Sequence, residues 1–457
     1  MAFLVAASCR SVGRPGGVNG RSVPAEKPPA GDGEPSVPAP APEPEPDLDE
    51  SAIAGFADDL VSLYGPTVAT AMMVLSRAGS AAVPELAKRL SSKDPTMRSR
   101  ALVVLGRIGD RSAEPAVRAL LEDPSQEIRV AARIALLRLG SRDELPALLE
   151  IATRPEPASL RAAALSGLST QRLEDALPAF REGLRAAEAN VRFWSVQGIR
   201  TLEDRASAGE LVTLLCDANE GVAGAAADAL RALRAPAVHA DVAKAFSVTK
   251  GPQRAAILEL LRDLGHESTA AFVRQSVSDE SAAVRATAMR LALDAAPQQE
   301  AAAEWLEVGS RDPDSTVRSL ALRGLSLAGG PGAAATLARA LFDEDPFCRM
   351  NAALGLARVG ASDRVGDLRR VEEGDAVSVV RGAARRARAR LGDTTAVPPL
   401  IRDLDDVLLR DGALATLRGL FEEDLGVEST RWKAFWETRR DSLRYDAALR
   451  RYVTKSG

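Results

Sequence analysis

An arginine recurs along most of this chain every 31 or 32 residues, and this period constrains the fold more than any other feature. We term its place in the repeat the ladder position. It is occupied by Arg98, Arg129, Arg161, Arg192, Arg254, Arg285, Arg318, Arg349, Arg381 and Arg410. One interval is doubled, and its midpoint is Ala223, which marks a repeat that lacks the arginine. A unit of this length cannot bury an apolar face alone, so successive units must stack.

Each unit contains the signals of two helices. The first helix is short and often has proline in its first turn, as Pro115 in segment 114–121, where a missing N–H costs no hydrogen bond. The second helix follows an Asp-Pro pair in several units, because the acidic side chain can cap its start and proline fits its first position. Glycine often ends it. The pairs start at Asp94, Asp123, Asp312 and Asp345, and the glycines are Gly109, Gly140, Gly265 and Gly360.

Composition agrees with an all-α chain. Apolar residues make up 46% of the sequence and aromatic residues only 4%, with Ala and Leu carrying most of the apolar fraction. Ala and Leu favour helices, and segments rich in β-branched and aromatic residues, which favour strands, are nearly absent.

The repeated pattern Asp-Pro-x-x-Val-Arg-x-x-Ala-x-x-x-Leu-x-x-Leu-Gly resembles the HEAT repeat, in the short form found in phycobilisome-lyase-type bacterial proteins. The resemblance implies an α-solenoid of about eleven HEAT-like helix pairs over residues 51–420, with the second helix of each pair on the concave side. We interpret the ladder arginine as structural, pairing with an acidic loop residue of its own or the adjacent unit. Such a fold does not by itself imply an activity.

The first fifty residues differ from the repeats. Residues 1–9 resemble a bacterial lipoprotein leader, because a short apolar run ends in small residues immediately before Cys9. The usual basic residues and the usual Leu three positions before the Cys are missing. Residues 10–50 are rich in Pro, Gly and Glu, so we expect a disordered tether. We predict lipid attachment at Cys9 and a place in the bacterial cell envelope; a cytoplasmic chain without lipid is the alternative.

The C-terminal segment 421–457 concentrates aromatic residues. Trp432, Phe435, Trp436 and Leu443 follow a helical spacing among charged residues. A solenoid needs a closing element on its last repeat. We therefore predict capping helices here, with an aromatic docking site for a peptide as the alternative.

The chain offers little for catalysis. It has only two histidines, His239 and His266, whereas di-iron hydroxylases of similar repeat structure use several His-Glu pairs. No Gly-rich phosphate loop, zinc-type Cys/His spacing or nucleophile elbow is present. We expect no catalytic residue, metal or cofactor, and a lyase- or glycosylase-like HEAT enzyme remains the alternative from another class. Cys216 and Cys348 lie in apolar stretches, so we expect buried, inert thiols.

The second helices provide a candidate binding surface. At 100° per residue, the positions five and nine residues after the ladder position point away from the core. In the later units these positions carry arginines, which we term the basic stripe: Arg290, Arg323, Arg358, Arg386 and Arg390. Arginine binds carboxylates bidentately. We predict a groove for an extended acidic segment of a protein partner, with an ordinary solvated helix face as the alternative.

Other partners are less compatible with the sequence. The net charge is −4, so no overall basic field attracts nucleic acid, and few aromatic residues interleave the basic stripe. No run of eighteen apolar residues occurs, so we expect membrane contact only through a lipid anchor. The predicted function is a non-catalytic protein-binding scaffold. Within it we expect a weak layer over residues 217–253, where the arginine is missing and glycine and alanine predominate.

Overall fold

The structure is a computed structural model that describes residues 49–62, 64–154, 157–295, 300–330 and 332–455. Cys9 and the predicted leader and tether, apart from residues 49 and 50, lie outside the described residues. Helices α1 to α8 are Glu50–Asp58, Gly65–Ala78, Val83–Arg89, Pro95–Ile108, Glu114–Arg118, Gln126–Arg138, Leu145–Thr153 and Ala158–Ser169. Helices α9 to α16 are Leu177–Gly183, Ala189–Thr201, Ala208–Leu214, Glu220–Leu233, His239–Val248, Gly251–Asp263, Thr269–Ser276 and Ala282–Ala295. Helices α17 to α25 are Glu300–Gly309, Ser315–Ala328, Ala333–Ala340, Pro346–Val359, Val365–Gly374, Ser378–Arg390, Val397–Arg402, Arg410–Phe421 and Ser429–Arg439, and strands β1 and β2 are Leu443–Asp446 and Arg451–Thr454.

The helices form pairs within two compact units, one ending at Ala179 and the other beginning at Phe180. In the first unit the second helices α2, α4, α6 and α8 contact one another in sequence order, and α3, α5 and α7 pack against α4, α6 and α8. In the second unit α10 to α24 repeat this arrangement through the even-numbered helices, with the odd-numbered first helices α11 to α23 packed on them. Each unit is thus a stack of helix pairs, which confirms the predicted all-α solenoid architecture.

Helix boundaries follow the predicted capping signals in part. Asp94 accepts a hydrogen bond from the Thr96 amide at 2.7 Å and caps α4, and Gly109 ends that helix in the left-handed region with φ 74°. The prediction was wrong for Asp123 and Asp312, because neither residue caps its helix. Ser125 and Asp314 cap α6 and α18 instead, two residues further along.

Small residues allow the helices to approach closely. The residue three positions after the ladder position is buried in every repeat, at Ala101, Ala132, Ala164, Ser195, Ala226, Ile257, Ala288, Ala321, Ala352, Ala384 and Ala413. Glycine serves a similar purpose later in the second helix. On α10, a Cβ added at Gly198 would lie 2.4 Å from the buried ring of Phe180, so the first helix packs directly on this backbone.

The C-terminal segment is one helix followed by a β-hairpin. Trp432 and Trp436 of α25 are buried with Phe421 against the last repeat, and the Trp432 Nε1–H donates to the Gly426 carbonyl at 2.8 Å. This burial fits the predicted cap and leaves neither indole exposed as a docking site. The prediction of capping helices throughout was wrong after residue 442, where the chain forms β1 and β2 in antiparallel register. Tyr452 of β2 stacks on Phe421 at 5.2 Å, so the strand completes the aromatic cluster.

Candidate functional site

The ladder arginines join consecutive repeats through ion pairs. Each paired carboxylate lies six residues before the ladder position of the next repeat. Within the described ranges the pairs are Arg98–Asp123, Arg192–Asp217, Arg254–Asp279, Arg285–Asp312, Arg318–Asp343 and Arg349–Asp375, with closest N–O distances of 2.6 to 2.8 Å. The predicted structural pairing is therefore confirmed for these residues, and the acid comes from the adjacent repeat.

In Arg318, all three guanidinium nitrogens donate hydrogen bonds. Its Nε and Nη2 donate to the two carboxylate oxygens of Asp343 at 2.9 and 2.8 Å, and its Nη1 donates to the carbonyls of Asp312 and Pro313 at 2.9 and 3.1 Å. The side chains of Arg318 and Asp343 are only 8% and 12% exposed. Burial alone would raise the pKa of Asp343, but the Arg318 hydrogen bonds and the Asp345 amide hold it below its usual value. This arginine is not available to a partner.

The repeat without a ladder arginine has lost both members of the pair. Ala223 replaces the arginine, and the exposed Val248 stands where the next repeat would supply the aspartate. The Asp217 carbonyl, which an arginine at 223 would bind, instead accepts a hydrogen bond from the side-chain amide of Gln253. A cavity of about 200 Å³ lies beside Ala223, lined also by Leu215, Glu220, Gly224, Pro252, Gln253, Ala256 and Ile257.

The basic stripe divides into one paired member and four others. Arg290 on α16 forms an ion pair with Glu259 of the preceding second helix. Arg323, Arg358 and Arg390 are exposed and Arg386 is half-buried, and none of these four forms an ion pair with an Asp or Glu in the part of the chain that the structure describes. Arg386 donates from Nε to the Gly382 carbonyl at 3.3 Å.

These unpaired guanidiniums sit near one another. Burial, together with the charge of Arg390, lowers the pKa of Arg386. Partial desolvation and the charge of Arg358 lower the pKa of Arg390 in the same way. Repulsion between these arginines thus adds to the effect of burial, and at Arg386 the nearby charge of Asp403 offsets part of it.

The C-terminal hairpin adds an arginine that the repeat pattern does not contain. Arg450, in the turn between β1 and β2, donates to the Arg358 carbonyl at 2.5 Å. Tyr445 of β1 donates from its hydroxyl to the Arg390 carbonyl. Arg358 and Arg450 both line a cleft of about 390 Å³, whose other walls are Ser326, Leu327, Gly329, Gly330, Ala334 and Val359.

The earlier repeats of the same face have a different charge pattern. Around the middle of the chain, acidic side chains occupy these positions and are paired, as Asp263 is with Arg231 and Arg262. In the first unit, Arg107 and Arg138 stand nine residues after their ladder positions. Burial, and then the Arg107 charge, lower the pKa of Arg138. Arginine at the ninth position therefore occurs in early repeats as well as in the later ones that carry the basic stripe.

The described histidines and cysteines are the remaining candidate groups. His266 accepts a hydrogen bond from the Ser268 amide at 3.1 Å, and its ring lies 6.1 Å from that of His239. In the described ranges, no group of three or more His, Cys, Asp or Glu side chains is placed to hold a metal ion. Cys348 is buried, which raises the pKa of its thiol to about 12. Cys216 is exposed, contrary to prediction, because it lies in the turn between α11 and α12.

No described helix is long and apolar enough to cross a membrane.

Comparisons with known proteins bear on the fold. Residues 83–169 and 302–388 match the family model for HEAT repeats. The structure of yeast importin-β (Kap95p) is similar with a TM-score of 0.57 at 15% identity, over 86% of this chain and 64% of that one. Kap95p in a study of its binding to RanGDP gives 0.54 at 15% identity, over 85% and 63%, and Kap121p bound to Nup53p gives 0.51 at 11% identity, over 81% and 49%. No curated protein sequence matches the chain.

This chain thus spans less than two thirds of the length of these solved structures. At such low identity the similarity shows the fold alone. Together with the stacked helix pairs described above, it shows an α-solenoid fold, in which residues 83–169 and 302–388 match HEAT repeats.

Proposed function

We propose that this protein is a non-catalytic scaffold whose second-helix face binds an extended acidic segment of a protein partner. The observation that carries this proposal is the contrast between two sets of arginines. Six ladder arginines are paired with carboxylates, whereas four stripe members on α18, α20 and α22 form no ion pair with any described Asp or Glu. These are Arg323, Arg358, Arg386 and Arg390.

Uncompensated arginines on one face favour an anionic ligand for a physical reason. Burial first, and then the charge of a neighbouring arginine, lower the pKa values of Arg386 and Arg390. A bound carboxylate would offset both effects and satisfy the guanidinium donors. Successive second helices pack side by side, so the charges recur along the stack. An extended segment with several acidic residues matches this spacing better than a compact ligand does.

The fold supports a protein as the partner. Kap121p, which has a similar fold, has been solved in complex with Nup53p and with Ste12p. A stack of repeats offers a long surface whose side chains can vary without loss of the core. The alternative is an ordinary solvated helix face.

The decisive experiment is capture of a partner by the full chain under mild crosslinking. Replacing Arg323, Arg386 and Arg390 together by Glu should reduce capture at least about tenfold, since each charge-assisted contact contributes about 1.5–3 kcal/mol, and should abolish its salt sensitivity. The matched control is Arg290→Gln, which removes a charge that Glu259 already neutralises. Undiminished capture by the triple variant, with helicity intact, would exclude this face.

The proposed location is the bacterial cell envelope, with Cys9 as the site of lipid attachment. This part of the proposal rests on the residues around Cys9, which lie outside the described part of the chain. Labelled fatty acid should be incorporated by the chain expressed from its natural upstream DNA and not by its Cys9→Ser variant. Equal labelling of both, or of neither, favours the cytoplasmic scaffold without lipid.

A further inference from the structure

We infer that the cleft between the C-terminal hairpin and the ends of α18 and α20 is a binding site for one carboxylate of the acidic segment, with Arg450 and Arg358 as its ligands. This inference rests on the proposed function and makes it more specific. It adds a residue from outside the repeats to the binding surface and predicts where the acidic segment is held.

The geometry of the hairpin brings Arg450 to this place. The Asp446 carboxylate accepts hydrogen bonds from the Ala448 and Leu449 amides, each at 3.0 Å, and so fixes the turn. Arg450 itself adopts φ 55°, a left-handed conformation that is uncommon for a residue other than glycine. The turn therefore holds one arginine in an unfavourable backbone conformation, and its side chain reaches 92 residues back along the chain to the Arg358 carbonyl.

The contacts of the two arginines leave donors unused. Arg450 donates Nη1 to the Arg358 carbonyl, and its Nη2 lies close to the space above Gly360. Neither Arg450 nor Arg358 forms an ion pair with an Asp or Glu of the described residues. By contrast, Arg444 and Arg451 of the same hairpin pair with Asp446 and Glu422. Arg450 of the hairpin and Arg358 of α20, which lack a carboxylate partner among the described residues, therefore both line the cleft.

The cleft also has the size and walls that a side-chain carboxylate needs. Its volume of about 390 Å³ exceeds that of one acidic side chain, and its lining includes Ser326 together with Gly329 and Gly330, which have no side chain to fill it. A Cβ added at either glycine would meet no atom of the described residues within 4 Å, its chain neighbours aside, so the described side chains leave room for a ligand there. Two exposed arginines and two glycines in the lining of one cleft favour an oxyanion at the end of a chain that continues along the basic stripe.

The test is binding of a fluorescein-labelled hexaglutamate peptide to the full chain, followed by fluorescence anisotropy at low and moderate salt. Arg450→Ala should weaken binding about tenfold, as expected for loss of one charge-assisted contact. Arg450→Lys keeps the charge but loses the bidentate donors of the guanidinium, so its affinity for the peptide should lie between those of the wild type and the Ala variant. Arg402→Ala is the matched control, because Arg402 is an exposed arginine on first helix α23 that has no ion pair among the described residues.

Two results would overturn the inference. One is an Arg450→Ala variant that binds hexaglutamate as tightly as the Arg402→Ala variant. The other is displacement of the peptide by inorganic phosphate more effectively than by chloride at equal ionic strength, which would assign the cleft to a free phosphate ion. Crosslinked capture of a partner is measured separately. If the partner is still captured but Arg450→Ala has no effect on peptide binding, only the proposed cleft is rejected. If no partner is captured, the proposed scaffold function is rejected.

Discussion

Removing one ladder carboxylate measures how strongly the repeats are joined. In Asp343→Ala, Arg318 loses the two carboxylate oxygens of Asp343 at a place where its side chain is 8% exposed. Removing one partner of a buried pair costs about 3–5 kcal/mol, because the other charge is left buried and unpaired. Arg318 retains its bonds to the Asp312 and Pro313 carbonyls and a 3.1 Å contact with the exposed Glu344. We therefore expect the lower end of this range, about 3 kcal/mol.

The pair should also lose its contribution in acid. The pKa of Asp343 is lowered in the folded chain from an unperturbed value of 3.8. A carboxylate with a lowered folded pKa stabilises the fold fully above its unfolded pKa, and this stabilisation disappears as the pH falls through the folded pKa. The difference in unfolding free energy between wild type and Asp343→Ala should therefore be largest near neutral pH and shrink below about pH 4.

The assay is urea denaturation followed by far-ultraviolet circular dichroism, with hydrogen exchange of α18 and α20 to locate the weakened layer. Arg129→Ala is the control, since Arg129 holds the same ladder position but, among the described residues, binds the Asp123 and Pro124 carbonyls and no carboxylate. We expect a loss of about 1–2 kcal/mol. The double variant Arg318→Ala/Asp343→Ala should be clearly less destabilised than the sum of its single variants. A loss below about 1 kcal/mol for Asp343→Ala, the range of exposed pairs, would refute the structural role.

Two further predictions concern packing and pH. Gly198→Ala should lower the free energy of unfolding in urea by about 1–3 kcal/mol, because the added Cβ would meet the Phe180 ring. The control Gly419→Ala, whose added Cβ would meet no described atom within 4 Å, should be neutral or stabilising. Equal effects of the two substitutions would contradict this packing. Burial raises the pKa of Asp403 to about 6 despite its ion pair with Arg385, so its ionisation costs stability as pH rises through that value. The stability of Asp403→Asn relative to wild type should therefore increase by up to about 3 kcal/mol as the pH rises from 4 to 8. A stability difference between the two proteins that does not change with pH would contradict this prediction.

The repeat architecture could be predicted because its signals are local and recur. Most second helices carry the ladder arginine and, three residues later, a small residue, and several begin at a capping side chain, all within one period of about 31 residues. The same reasoning misassigned Asp123 and Asp312, since an Asp-Pro pair is an ordinary helix start. In the structure these carboxylates form ion pairs with the ladder arginine of the preceding repeat. The signal was present in the sequence, because an aspartate recurs six residues before many ladder positions.

Contacts between distant segments were harder to predict. The position of Arg290 on the outward face followed from helical geometry, but its neutralisation by Glu259 depends on which residues of adjacent helices meet. This pair could have been found by comparing the same position in consecutive repeats, where the charges have opposite sign. Arg450 had no such signal. Its place beside Arg358 depends on a hairpin that folds back over the repeats, and short strands leave little trace in a helix-rich sequence.

The repeat at Ala223 shows most clearly how the structural ladder arginines differ from the candidate binding arginines. There the ladder arginine and its acid are both missing, and Gln253 supplies a replacement donor to the Asp217 carbonyl. The joint loss is what electrostatics requires, because a lone buried member of the pair would be costly. Whether residues 217–253 form a weaker layer stays a prediction, with this hydrogen bond acting against it. No comparable requirement accounts for Arg323, Arg358, Arg390 and Arg450, whose charges face solvent without a carboxylate in the described chain. The fold does not need these charges, and under the proposed function they are the ones that contact the acidic segment.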